Sequence, residues 1–177
     1  MEESPFAPPV LIDAPGVQAR IAELAVDIGR DFPHGVHVIA VLKGAFVFLA
    51  DLIRRLDIPV SIDFLAVSSY ASGTTSSGEV RLLKDLDMAL DGRDVLLVED
   101  IIDTGLTLAY LHGILRTRGP RVLRTAALLS KPSRRVVTVT VDYVGFAIED
   151  QFVVGYGMDR DEHYRNLPYI GVIEQAR

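Results

Sequence analysis

The chain has 177 residues, 49% of them hydrophobic and 24% charged, with a formal net charge of -6. That length and balance suit a single domain burying roughly 70% of the surface its unfolded chain would expose, and they exclude a disordered or collagen-like chain. The absence of cysteine rules out disulfides, thiolate metal sites and a Cys nucleophile, and with the acidic start Met1-Glu2-Glu3-Ser4-Pro5 it points to the cytosol rather than to secretion.

No apolar run approaches the about 20 residues that a membrane-spanning helix needs. An acidic chain is also poorly suited to broad nucleic-acid binding, which draws on Lys and Arg to neutralise phosphates. The cations themselves are lopsided, with 15 Arg against three Lys, at positions 43, 84 and 131.

In chain order, Asp13-Ala14-Pro15 predicts a helix start, and Val17, Ile21, Leu24, Ala25 and Ile28 recur at helical spacing up to Gly29. Val36 to Leu42 (VHVIAVL), short, branched and apolar, predicts a strand. Lys43-Gly44 makes a tight turn into a helix carrying Phe46, Leu49, Leu52, Ile53 and Leu56. Ile58 to Val67 predicts a strand running into Ser69-Tyr70, and Ala71 to Gly78 (ASGTTSSG) reads as a mobile loop.

Val80 to Lys84 can return as a paired strand, and Val95 to Val98 (VLLV) has the continuous apolar character of a buried parallel strand. Leu108, Leu111, Ile114 and Leu115 predict a helix closed by Gly119-Pro120, and Val122 to Leu129 predicts a strand ending at Ser130-Lys131. From Val141 onward come short β-like pieces (YVGFAI, FVVGYG) and a polar stretch from Met158 to Asn166, expected to form a small accessory lobe. The alternation of strand and helix predicts an α/β fold with a mainly parallel sheet, and neither a repeat nor a linker interrupts it.

Ligands of open α/β sheets gather beyond the carboxyl ends of strands, where helix N-termini offer unpaired N–H groups. Three polar clusters fall there: Lys43-Gly44, the run VEDIIDTGLT, and Lys131. In the second, Glu99, Asp100 and Asp103 place three carboxylates within five residues, followed by Thr104-Gly105-Leu106-Thr107 at a helix start. Carboxylates suit ribose hydroxyls or a hydrated divalent cation, and the Thr hydroxyls with N–H groups suit a phosphate. Asp103 or Thr104 reads equally as a helix cap, but capping leaves Glu99-Asp100 unexplained. On the residues alone, Lys43 is as readily a solvated lysine and Phe152 is more readily core.

VEDIIDTGLT resembles the phosphoribosyl-pyrophosphate signature of the purine phosphoribosyltransferases, and specifically of the hypoxanthine (hypoxanthine-guanine) phosphoribosyltransferases. The resemblance runs from about Val36 to Ile173 through LKG, SSY with a flexible loop, VEDIIDTGLT, LLSK, FVVGYGMD and YRNLPYIGVI, in that order. It implies a type I phosphoribosyltransferase-like core, a twisted sheet flanked by helices at roughly residues 31–140 of a single domain spanning 1–177, with a small hood from the terminal segments.

The implied reaction transfers the phosphoribosyl group of phosphoribosyl pyrophosphate to hypoxanthine or guanine, releasing pyrophosphate, with magnesium as cofactor. Glu99 and Asp100 would meet the ribose hydroxyls and, with Asp159, the magnesium. Asp103 would be the general base that takes a proton from the purine, and residues 103–107, with Leu106 acting only through its N–H, would hold the 5'-phosphate. Leu42, Lys43 and Gly44, with a cis peptide expected between the first two, would bind pyrophosphate together with Arg165.

Lys131 would donate to the purine 6-oxo group, Phe152 would stack on the base, Val153 would meet it through backbone groups and Asp159 would border it. Ser69 and Tyr70 open the loop expected to close over the reacting centre. None of the four histidines receives a role, and Lys84 has none assigned. A homodimer or homotetramer is implied.

Two other readings stand beside this one. One is a transferase that prefers xanthine or another base; separately, the unusually charged Asp159-Arg160-Asp161-Glu162-His163 leaves the preference between guanine and hypoxanthine open. A regulatory RNA-binding relative would use Arg116, Arg118, Arg121 and Arg124 as a basic stripe.

Overall fold

A computed structural model describes residues 7–69 and 80–173. Helix α1 (Ala14–Asp31) begins at Asp13, whose carboxylate accepts the Gly16 N–H at 2.8 Å, satisfying one of the donors a helix start leaves open. Its buried face is Val17, Ile21, Leu24, Ala25 and Ile28, the residues singled out by spacing. The chain then runs through β2 (Val36–Leu42), α2 (Phe46–Ile53), β3 (Val60–Ser69), β4 (Val80–Lys84), β5 (Asp94–Ile102), α3 (Leu106–Arg116), β6 (Val122–Ser130) and β7 (Tyr143–Ala147). Three short strands, β1 (Val10–Ile12), β8 (Phe152–Val154) and β9 (Ile170–Ile173), complete it.

The large sheet has the order β4-β3-β2-β5-β6-β7. Its pairings are parallel except for β4, which returns antiparallel along β3. Alternation along β2 separates two cores: Val36, Val38 and Ala40 face the cluster built with α1 and α2, while Ile39 and Val41 face the cluster under α3. Both faces are covered, which is why the strand reads as an uninterrupted apolar run. Leu97, fully buried in the second cluster, would leave a cavity costing about 2–5 kcal/mol if cut to alanine.

The tail divides. YVGFA is β7, an edge strand of the large sheet, whereas FVV is β8 in a separate antiparallel sheet of order β1-β9-β8. The large sheet thus extends past the limit near residue 140 expected for the core. Arg20 of α1 fastens this edge by donating to the Gly145 and Val144 carbonyls at 2.9 and 2.8 Å. The small sheet is tied to the helices through Tyr156, whose hydroxyl donates to Asp51, while Gln18 Nε2 donates to Asp51 at 2.7 Å and to the Tyr156 hydroxyl at 2.9 Å.

Chain order now locates the site. After β2 the chain adds β3 on one side and later β5 on the other, so the order reverses between β2 and β5. Crevices form at the carboxyl ends of strands at such a reversal.

Candidate active site

Two cavities open at that edge and share Asp100, Ile101 and Asp103. The smaller, about 230 Å³, is lined by Leu42 and Gly44 from the turn after β2, Glu99 from β5, and Thr104, Gly105 and Thr107 at the start of α3. The larger, about 690 Å³, is lined by Lys131, Phe152, Val153 and Asp159, and also by Arg134 and Asp150. Most of the residues singled out by sequence therefore meet around one carboxylate, Asp100.

Local geometry follows from the sequence. Gly105 has a φ of 87° at the N-cap of α3, a left-handed conformation open to glycine at little cost. It turns the chain into α3 with Thr104 and Thr107 on either side of it, both lining the smaller cavity. The Leu42–Lys43 peptide is cis, and the turn brings Gly44 against Asp100. A Cβ at Gly44 would stand 1.6 Å from Asp100 Oδ2.

The acidic pair is electrostatically costly. Burial, and then the neighbouring Asp100 charge, push the Glu99 carboxyl well above the ordinary range. Burial likewise raises Asp100 to about 6, with Asp159 adding to the rise against two backbone N–H bonds and Arg165. A buried carboxylate beside a half-buried one asks for a proton or a cation. No cluster of three or more metal-ligating side chains exists among the described residues, so the protein offers no closed cage. Two hard carboxylates beside an open cavity fit magnesium, which keeps waters and takes substrate oxygens. Asp159 is less available, since its Oδ1 pairs with Arg165 Nη2 at 2.9 Å.

Five of the residues expected at the site lie elsewhere or are not fully described. Lys43 lines neither cavity: its ammonium is 3.0 Å from both oxygens of Glu162. Leu106 lines neither, Ser69 is described only as the last residue of β3, and Tyr70 lies outside the described residues. Arg165 lines neither cavity but sits beside Lys43 and Asp159. Its Nη1 donates to the Gly157 carbonyl at 2.8 Å, and its buried Nε has no partner among the described residues.

Arg134, Arg135 and Asp150 escaped the sequence reading. Arg134 Nε donates to Asp103 Oδ1 at 3.1 Å, and Lys131 Nζ is 3.8 Å from Asp103 Oδ2 and 3.6 Å from Asp150. Arg135 donates to the backbone carbonyls of Ile102, at 2.7 Å, and Asp103, fixing the end of β5. The available signal was the Arg-Arg pair directly after Lys131-Pro132-Ser133, at the carboxyl end of β6.

Lys84 also finds a place, donating to the Phe64 carbonyl at 3.1 Å beside buried Asp63, which accepts three backbone N–H bonds. The supposed basic stripe is met by acids: Arg118 pairs with Asp85, Arg121 with Asp94 and Arg124 with Asp31.

Comparison with known proteins agrees in one direction. Residues 11–161 match the family model described as "Phosphoribosyl transferase domain". The chain is 51% identical over 172 residues to a hypoxanthine-guanine phosphoribosyltransferase of Mycobacterium avium, covering 93% of this chain and 85% of that protein. It is 48% identical over 168 residues to that of Bacillus subtilis, covering 94% and 93%. Among solved structures, a Trypanosoma cruzi hypoxanthine phosphoribosyltransferase in complex with the product IMP is similar with a TM-score of 0.90 and 42% identity, covering 98% of each chain.

Proposed function

We propose that this chain, which belongs to the phosphoribosyl transferase family, transfers the 5-phosphoribosyl group of phosphoribosyl pyrophosphate to hypoxanthine and guanine, giving IMP or GMP and pyrophosphate. One observation carries the reading. The smaller cavity, at the start of α3, and the larger cavity, bearing Phe152 and Lys131, adjoin through Asp100 and Asp103, so sugar phosphate and purine can be held side by side with the reacting carbon between them.

In this reading Thr104, Thr107 and the N–H groups at the start of α3 bind the 5'-phosphate. Phe152 stacks on the base. Lys131, buried to 7% exposure, donates to the 6-oxo group, a bond that the 6-amino group of adenine cannot accept. The base nitrogen attacks the ribose carbon, the bond to the pyrophosphate oxygen breaks, and the proton lost by the base passes to Asp103. As positive charge develops on the sugar, the same carboxylate stabilises it. Lys43, Arg165 and the backbone of Leu42 to Gly44 receive the pyrophosphate. Glu99 and Asp100 would hold magnesium, which when bound offsets the charge of the diphosphate leaving group.

The test is product formation from phosphoribosyl pyrophosphate, magnesium and each purine base in turn. Hypoxanthine and guanine should yield the monophosphate and adenine should not. Equal use of adenine would remove the role given to Lys131, and product from xanthine alone would move the assignment to a xanthine-preferring enzyme.

A further inference from the structure

The segment Asp159-Arg160-Asp161-Glu162-His163 carries more charge than the site reading uses, and its backbone is unusual. Asp161, Glu162 and Tyr164 all take left-handed conformations, with φ of 52°, 65° and 74°, which non-glycine residues adopt only when the surroundings enforce it. The enforcement is visible. Arg160 and His163 exchange backbone hydrogen bonds at 3.2 and 3.0 Å, and the Glu162 N–H donates to Asp159 Oδ2 at 2.9 Å.

This tight turn projects one carboxylate between two cations. Lys43 Nζ lies 3.0 Å from each Glu162 oxygen, and Arg165 Nη2 lies 3.3 Å from Oε2. Those bonds hold the Glu162 carboxyl below the ordinary glutamate range, Lys43 contributing first. The side chain is 64% exposed, so it can swing away without leaving a void.

We propose that Glu162 is an internal counter-anion for the pyrophosphate-binding cations, occupying Lys43 and Arg165 in the free protein and yielding them when the diphosphate of the substrate, or released pyrophosphate, binds. The inference rests on the assignment of Lys43 and Arg165 made above. A single carboxylate offers one charge and two oxygens to these donors, whereas a diphosphate offers more of both and displaces it. Glu162 thereby weakens binding of both diphosphates and favours departure of the product, at a position that touches neither base nor sugar.

The probe is magnesium pyrophosphate titrated calorimetrically into the full chain, with KM for phosphoribosyl pyrophosphate and for hypoxanthine measured in parallel. Glu162→Gln should tighten pyrophosphate binding and lower KM for phosphoribosyl pyrophosphate by about threefold to tenfold, the scale of one or two exposed ion pairs. KM for hypoxanthine should stay unchanged. Glu162→Asp should restore wild-type values, and the gain in Glu162→Gln should shrink as salt rises. Glu162→Ser gives the same readout if glutamine disturbs the turn.

Unchanged or weaker pyrophosphate binding in folded Glu162→Gln and Glu162→Ser would overturn the proposal, leaving the carboxylate as a prop for its neighbours. Lys43→Gln and Arg165→Lys separate the two levels of inference. If they also leave pyrophosphate affinity unchanged, the assignment of these cations fails. If they weaken it while the Glu162 variants do not tighten it, the counter-anion alone fails.

Discussion

Arg134 Nε stands 3.1 Å from Oδ1 of Asp103, and the same carboxylate has Lys131 3.8 Å from its other oxygen. Asp103 is thus held from two sides, and the carboxylate proposed as the base is oriented by a residue from the turn after β6. Arg134→Ala should lower kcat about tenfold by loosening that orientation, with KM for phosphoribosyl pyrophosphate nearly unchanged. Arg134→Lys should recover part of the loss, because a point charge cannot reproduce the directed Nε bond. Steady-state kinetics with both substrates varied would check this, and an unchanged kcat would confine Arg134 to the cavity rim.

The contact between Gly44 and Asp100 gives a second outcome. A Cβ at Gly44 cannot coexist with the present Asp100 carboxylate at 1.6 Å, so Gly44→Ala must move either the turn or the acid. Magnesium-dependent binding of phosphoribosyl pyrophosphate should fall about tenfold or more, the scale of a misplaced binding group. Far-ultraviolet circular dichroism should remain that of the wild type. Titration of the substrate with and without magnesium reads the effect.

Stability should depend on pH through two buried imidazoles. His37 pairs with Ser61 at 2.8 Å and His112 with Thr125 at 2.7 Å, and burial lowers both, with Arg93 adding to the effect on His37 and Arg116 on His112. In the unfolded chain each takes up a proton near 6.5, while the folded chain resists doing so until lower pH. Their contribution is therefore complete above about 6.5 and is lost as pH falls below it towards the lowered folded values. The thermal midpoint should drop between pH 7 and pH 5, and the drop should be smaller in the double variant His37→Gln/His112→Gln. Equal drops would assign the dependence to other groups.

Much of this was legible in the sequence. Val36 to Leu42 announced a strand and Val95 to Val98 a buried parallel one because both faces of each are covered, and Thr104-Gly105-Leu106-Thr107 announced a helix start because its residue types serve turns and caps. Local signals failed where a role depends on what the chain brings near from afar. Nothing around Glu162 reveals Lys43, 119 positions away, and nothing around Arg134 reveals Asp103, 31 away. The stretch YVGFA looked like its neighbour FVV, yet only long-range pairing with β6 put the first in the large sheet and left the second to pair with β9. The partners of the Arg-rich stripe were hidden for the same reason, since Asp85, Asp94 and Asp31 come to it from elsewhere.

The central claim is that phosphoribosyl transfer takes place at the edge shared by the two cavities, with Asp103 handling the proton. Asp103→Asn preserves size and removes the base. Single-turnover formation of IMP from hypoxanthine should fall by about 10²- to 10⁴-fold, the usual contribution of such a group, while calorimetry shows phosphoribosyl pyrophosphate still bound with near wild-type affinity. A turnover rate equal to that of the wild type would contradict the account.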